Sequence, residues 1–485
     1  MGFQEIVQFV KDREAARRRP AELALLKAKQ ALMVYTLKLI LALFPAVSKE
    51  KIIKLITWYA ILFSGKAPSQ VKALPDFLRT SSFGDIAFRV SRLISRKSLD
   101  GLAISFLMDG LIVREAKRLQ EELKGGAVPY SLLISPTAKC NLRCKGCYAA
   151  DYSAKDELPF DLVDRLVTEA EELGVAVITM LGGEPFLWRP LLDLMGRHPH
   201  MYFLIFTNAT LLDRDMVHKL NKLGNFMLTL SVEGFEKETD ARRGPGTFAR
   251  VMAAMDLLRQ AKIPFGYSVT ATRSNEPVIA SEAFVDFMIS KGALMGWMFL
   301  CMPVSHNPDL ELLPTPEQRV HMLDFVNRVR ETRPIVMVDF WNDAPYVGGC
   351  IAGKYYAHVN PQGCVEPCIF THFCQDNIKN KSLKEVMNSE FFRDLRKRQP
   401  YNENLYLPCM WIDNPEVSRE IYERLPIRPC HPGADDVLRQ ENLRQGIDAY
   451  CAKVRELYRP VWEHEKCQME EFYKLKETVL RLFAA

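Results

Sequence analysis

The chain reads as an α/β protein with a mainly parallel sheet, preceded by a helical region and followed by a small cysteine-rich one. Three observations in its 485 residues predict this. From residue 128 onward, short apolar runs alternate with amphipathic segments six times over. Such repeats imply parallel strands with right-handed crossovers, because each strand returns through a helix. Residues 1–125 carry apolar helical runs without that alternation, and five of the twelve cysteines fall between 346 and 415. The expected division is 1–125 helical, 128–345 strand–helix repeats, 346–415 cysteine-rich, and 416–485 a helical tail.

Composition narrows the class. Apolar and charged fractions of 48% and 25% are those of a soluble globular protein and exclude disorder. A net charge of +5 is too mild to argue for a nucleic-acid partner. The first apolar run comes late and lacks a small-residue cleavage site, so no signal peptide is expected. In a reducing cytoplasm the cysteines then read as metal ligands rather than disulfides.

Residues 1–60 hold eleven Lys/Arg against five Asp/Glu, an excess larger than that of the whole chain. Their apolar runs, Ala31–Phe44 and Ile52–Phe63, and the later Gly101–Val113, are each shorter than the ~20 residues a spanning helix needs. Basic residues flanking apolar and aromatic helices suit a segment lying in an anionic membrane interface. That predicts a peripheral location on the cytoplasmic face of the membrane. The alternative is a helical subdomain packed against the strand–helix body or a second copy of the chain.

The six units are then read in order. Strand Ser131–Pro136 precedes helix Phe160–Leu173, and Val175–Leu181 precedes Leu191–Arg197. Strand Tyr202–Thr207 leads to Asp213–Leu223, and Phe226–Val232 to Thr247–Lys262. Strand Phe265–Ala271 leads to Ser281–Lys291, and Met295–Pro303 to Thr315–Arg333. Parallel α/β folds place their chemistry at the C-terminal ends of the strands. The motifs sit there.

After the first strand comes Cys140-x3-Cys144-x2-Cys147. One loop turns three thiolates toward one centre, one short of the four that close a structural zinc or iron–sulfur site. A zinc knuckle is the plainer alternative. The loop resembles the signature of the radical S-adenosylmethionine (radical SAM) superfamily. That resemblance implies a partial (β/α)6 barrel, a 4Fe–4S cluster on Cys140, Cys144 and Cys147, and SAM on the fourth iron. The family often has an aromatic residue just before the third cysteine. Here that position is Gly146, and Tyr148 takes the expected adenine contact.

Further strand ends match the family in turn. Gly182-Gly183-Glu184-Pro185 looks like its GGEP motif, whose glycines let backbone approach a ligand closely. Asn208 lies in Thr207-Asn208-Ala209-Thr210, similar to a TNG-type turn. Ser231 and Arg243 have the separation seen in SAM-binding members, and a guanidinium suits a carboxylate bidentately. Arg242 is the rival for that role. Cys301, ending the sixth strand, is either a hydrogen-donating thiol facing the site or a small core residue.

Asn360-Pro361-Gln362-Gly363 predicts a tight turn between two short strands, flanked by Cys350 and Cys368. A hairpin returns its ends close together, so both thiolates can reach one cluster. Gly363-x4-Cys368 resembles the SPASM and twitch auxiliary-cluster domains, implying one auxiliary iron–sulfur cluster on Cys350, Cys368 and Cys409. Cys374 is a further candidate ligand, Cys364 is expected to point away, and Ser382–Arg398 is expected as one helix. A zinc ribbon or free thiols is the alternative. Cys430, Cys451 and Cys467 are read as structural, and the tail from Asp435 as a helical pair.

The resemblance implies reductive cleavage of SAM to a 5′-deoxyadenosyl radical, which abstracts hydrogen from an unactivated C–H bond. The electron would come from a donor such as ferredoxin or flavodoxin. The basic apolar helices point to a membrane lipid as substrate, with coupling of acyl chain ends as in membrane-spanning lipid synthesis. A SPASM-type peptide or protein maturase is the first alternative. A non-catalytic iron–sulfur or zinc scaffold is the second.

Overall fold

The computed structural model describes residues 36, 47–64, 75–76, 78–79 and 81–484. Its centre is a nine-stranded sheet in the order β7-β6-β5-β4-β3-β2-β1-β8-β9. Strands β1 (Ser131–Ile134), β2 (Val177–Met180), β3 (Tyr202–Thr207), β4 (Phe226–Ser231), β5 (Phe265–Ala271) and β6 (Met295–Leu300) are the six expected ones. All pair in parallel, for example Ser131↔Val177 between β1 and β2 and Tyr267↔Gly296 between β5 and β6. The intervening helices cover the outer face. Phe160–Leu173 buries Val163, Leu166, Val167 and Ala170, one stripe at helical spacing, and ends at Gly174 with φ +98°.

Alternate residues of the strands face inward together. Ser131, Leu133, Thr179, Leu204, Phe206, Ser231, Ser268, Thr270, Trp297 and Phe299 line one cavity. Side chains from β1 to β6 meet there because the sheet curls into an open barrel.

Two strands depart from expectation. β7 (Val336–Asp339) adds a seventh parallel strand beside β6. β8 (Tyr356–Val359), expected in a separate auxiliary domain, pairs in parallel with β1. Left unpaired, that edge of β1 would expose a row of backbone donors and acceptors, and β8 covers it. The expected hairpin is present, since β9 (Val365–Glu366) runs antiparallel to β8. It is therefore continuous with the barrel sheet.

Beyond it, β10 (Phe373–Cys374) pairs with β11 (Arg428–Pro429). The single helix expected over 382–398 is two, Leu383–Met387 and Glu390–Arg398, because Ser389 caps the second by accepting the Phe392 N–H. The tail is a short helix, Asp436–Arg439, and then one long helix, Glu441–Ala484, with Pro460 inside it, rather than a helical pair. Val454 and Tyr458 pack it onto Leu323, Tyr406 and Leu407.

The N-terminal helices Lys49–Ser64, Ser82–Leu93, Arg96–Asp100, Gly101–Val113 and Arg114–Leu123 close the opposite end of the barrel. Ile52, Ile94, Leu99 and Ala103 bury against Tyr202, Met227 and Leu294, each within one residue of the start of a strand. Arg89 donates to the carbonyls of Ala293 and Ile289 at 2.7 and 2.6 Å. Arg114 donates to those of Val175 and His200, both at 3.0 Å. The helical-subdomain alternative thus describes these segments. The run Ala31–Phe44 lies outside the described residues apart from Thr36. No helix among the described residues is long and apolar enough to cross a membrane.

Candidate active site

The cysteine loop leaves the C-terminal end of β1 and is clamped by the turn after β2. Gly183 N–H donates to the Thr137 carbonyl at 3.0 Å, and Glu184 N–H to that of Lys139 at 2.8 Å. The two glycines are needed for this contact. A Cβ on Gly183 would lie 2.1 Å from the Lys139 carbonyl oxygen, and Gly182 has φ +114°. Their small size serves the approach of two backbone segments. Gly146 has φ +63°, which accounts for the missing aromatic residue at that position.

Glu184 is fully buried and committed to the scaffold. Its carboxylate accepts the Thr207 hydroxyl at 2.7 Å and the N–H groups of Asn208 and Phe186 at 2.8 and 3.1 Å. Burial pushes its pKa up against these bonds. Pro185 follows it, buried, in a short 3-10 turn. Asn208 donates to Asn141 Oδ1 at 2.9 Å, tying the turn after β3 to the cysteine loop. Ser231 and Ser268 hydroxyls stand 3.4 Å apart on the cavity wall.

Arg242 and Arg243 both reach Glu233, a wholly buried carboxylate just beyond β4, at 2.6 and 2.5 Å. The second oxygen of Glu233 accepts the Thr270 N–H at 3.0 Å. The two arginines then diverge. Arg242 donates to the Gly146 carbonyl at 3.4 Å and its own carbonyl receives Lys145 N–H at 2.9 Å, which supports the cysteine loop. Arg243 lies with Nη1 3.9 Å from Cys144 Sγ.

These residues share a cavity of about 260 Å³. Cys140, Cys144, Cys147, Tyr148, Gly182, Gly183, Asn208, Ser231, Arg242 and Arg243 line it. Trp297, Phe299, Phe340, Ile351, Ile369 and Phe370 line it as well, with the Phe370 ring 5.9 Å from that of Tyr148. Burial raises the Cys140 and Cys147 thiols above their ordinary value, so a bound metal would displace their protons. Cys301 is buried behind the loop, its thiol 3.9 Å from the Gly146 carbonyl and pushed up to about 11 by burial. It is not among the residues lining the cavity.

A second cavity of about 560 Å³ shares the Phe340, Ile351, Tyr356 and Phe370 wall, and Cys350, Cys368 and Cys409 line it. The Tyr356 hydroxyl lies 2.6 Å from Cys368 Sγ. The N–H groups of Phe370 and Trp411 donate to Cys368 and Cys409 at 3.4 Å each. Burial pushes Cys350 up to about 12 and Cys368 to about 11. Three enclosed thiols with amide donors to sulfur fit an iron–sulfur cluster. Cys374 is elsewhere, beside Cys364 and Cys430.

Comparison with known proteins agrees. Residues 134–274 match the radical SAM superfamily and residues 350–410 the SPASM iron–sulfur cluster-binding domain. The chain is a radical SAM enzyme. It holds a 4Fe–4S cluster that binds SAM and, in its SPASM domain, an auxiliary iron–sulfur cluster. It is 27% identical to AdoMet-dependent heme synthase of Methanosarcina barkeri over 54% of this chain and 82% of that one. It is 28% identical to PqqA peptide cyclase of Granulibacter bethesdensis over 60% of this chain and 81% of that one. Streptococcus suis SuiB bound to S-adenosylmethionine shares the fold, with a TM-score of 0.51 and 20% identity over 59% of this chain and 73% of that one.

Three features escape a reading of the sequence. Glu233 lies just past β4, and nothing local in the sequence marks its grip on both arginines. Glu184 serves the scaffold rather than the ligand. The aromatic wall had a signal, the alternation Trp297-Met298-Phe299 along β6, whose continuation through Phe340 and Phe370 needed the fold.

Proposed function

We propose that this enzyme removes a hydrogen atom from an unactivated C–H bond in an apolar group of a peptide or protein, as a SPASM-type maturase. The observation that carries the apolar target is the group Trp297, Phe299, Phe340, Ile369 and Phe370, which line the same cavity as the three cysteines. Such a lining holds an aliphatic or aromatic group by burial and leaves direction to few polar contacts. Similarity to PqqA peptide cyclase and to the sporulation killing factor maturation protein SkfB supports a peptide as its carrier. When bound, SAM and its cluster supply the 5′-deoxyadenosyl radical. The chain's own part is to hold SAM through Arg243, Ser231, Asn208 and Tyr148, to place the target carbon and to exclude water.

A second reading keeps the same chemistry with a lipid acyl chain as substrate, including coupling of chain ends. The apolar residues Phe340, Ile351 and Phe370, shared by the two cavities, favour it. So do Trp58 and Leu107, 51% and 45% exposed on the N-terminal helices.

The test is anaerobic reconstitution with dithionite and SAM, measuring 5′-deoxyadenosine with a panel of apolar peptides and with membrane-lipid vesicles. Stimulation by peptide, with a mass change in it, supports the maturase. Stimulation by vesicles alone moves the assignment to the acyl chain. A protein of full iron content that forms no 5′-deoxyadenosine under either condition overturns both.

A further inference from the structure

Cys364, Cys374 and Cys430 come together in a place of their own. Their sulfur atoms all lie within 4.8 Å of one another, and all three residues are buried. Among the described residues no other His, Cys, Asp or Glu trio is so tight, including the cysteine loop and the set lining the second cavity. Antiparallel pairing makes the contact. Cys374 faces Arg428 across β10–β11, and Cys430 N–H donates to the His372 carbonyl at 2.9 Å. Cys364 enters from the other side, at the foot of β9, bridged to Asn377. Cys430 also lies beyond residues 350–410, the part matched as an iron–sulfur domain.

We propose that these three cysteines bind a single thiophilic divalent ion, zinc or iron(II), separate from both iron–sulfur clusters. Spacing argues for one ion. Metal–sulfur bonds of about 2.3 Å in a tetrahedral arrangement put sulfurs roughly 3.8 Å apart. In a 4Fe–4S cluster each thiolate takes a different iron, so the sulfurs stand on separate corners and farther apart. The surroundings expect anionic sulfur. Arg428 Nη2 donates to Cys364 Sγ at 3.2 Å, and Asn377 Nδ2 does so at 3.7 Å. Donors of this kind orient thiolates around a metal and offset their charge.

Three protein ligands leave a fourth position for water or another small donor. His431, next to Cys430 in the chain, is turned to His372 at 2.6 Å and does not fill it. The trio packs on Ala138, Ala149 and Tyr152, residues that flank the Cys140–Cys147 loop. An ion here would pin the segment after residue 427 to the hairpin and, through Tyr152, to the active-site loop. Tyr152 is further held by donating to Glu366 at 2.7 Å. Binding releases the thiol protons, with no change in oxidation state.

The full-length protein, purified anaerobically and dialysed against EDTA, is analysed for zinc, iron and acid-labile sulfide. Support is one equivalent of zinc, or one iron beyond the amount matched by sulfide, lost in both Cys374→Ser and Cys430→Ser. The radical SAM cluster's electron paramagnetic resonance signal stays in those variants. X-ray absorption at the zinc or iron edge of the unsubstituted protein tests the site even if the variants fail to fold, with the zinc or the sulfide-free iron expected to show sulfur neighbours. Two results overturn the proposal: no metal beyond the clusters, or loss of iron and sulfide together in fours. Neither depends on 5′-deoxyadenosine formation, so this test and that of the substrate assignment fail separately.

Discussion

Arg243 and Glu233 form a 2.5 Å ion pair beside the cysteine loop, and the same carboxylate oxygen takes Arg242 at 2.6 Å. Two cations are thereby held by one buried anion. Because Glu233 has no solvent exposure, its removal leaves both guanidinium groups without their compensating charge.

Glu233→Gln is expected to lower stability by about 3–5 kcal/mol, the cost of breaking a buried pair from one side. Urea denaturation of the reconstituted protein measures it. A change under 1 kcal/mol would mean that the introduced amide and solvent satisfy both guanidinium groups.

The two arginines should separate by function. Arg243→Lys keeps the charge but loses the planar fork, so SAM affinity is expected to fall about tenfold, as read by equilibrium dialysis. Arg242→Ala should instead reduce iron retained at the first cluster, since the Arg242 guanidinium donates to the Gly146 carbonyl in that loop. Equal loss of SAM binding in both would remove the distinction.

Gly183→Ala places a methyl group against the Lys139 carbonyl, a contact of 2.1 Å before relaxation. Overpacking of this sort costs about 1–3 kcal/mol or more, and poor iron incorporation should accompany it. Gly196→Ala is the control, because its Cβ would meet only Leu223 at 3.9 Å. There stability should hold or rise.

Tyr356→Phe removes the hydroxyl 2.6 Å from Cys368 Sγ. A hydrogen bond to a ligating sulfur favours the reduced cluster, so its loss should make the auxiliary potential more negative. Spectroelectrochemistry reads this. An unchanged potential with full iron content would show that Cys368 does not ligate the cluster.

His198 gives a pH dependence. Its pKa is raised above 6.5 by Glu171 first and by Asp164, against the effect of burial. The folded protein therefore holds this proton more tightly than the unfolded chain, and the stabilisation is full below about pH 6.5. It fades as pH rises through the folded value. The melting-temperature difference between the wild type and His198→Gln should shrink from pH 6 to pH 8, and a difference that grows would contradict the pair.

Much of the barrel was legible because its signals are local. Six strands, their helices and the cysteine loop follow from periodicity and spacing within a few tens of residues. The floor was harder. Helices rich in apolar and basic residues look alike whether they meet lipid or the open end of a barrel, and Arg89 and Arg114 reveal the second use through carbonyls as far off as Ala293. Strand β8 was misplaced for a related reason, since its hairpin with β9 is local while its pairing with β1 spans more than two hundred residues.

The sequence by itself determined the chemistry, because Cys140, Cys144 and Cys147 are covalently bound to one short loop and stay together in any fold that forms it. Tertiary structure alone decided which distant groups share a neighbourhood. It set Arg242 and Arg243 on one carboxylate and Phe340 and Phe370 in the cavity of the cysteines. It also moved Cys364, Cys374 and Cys430, three residues without local ligand spacing, into a single buried site. Sheet register and helix packing fix such distances, and no spacing along the chain encodes them.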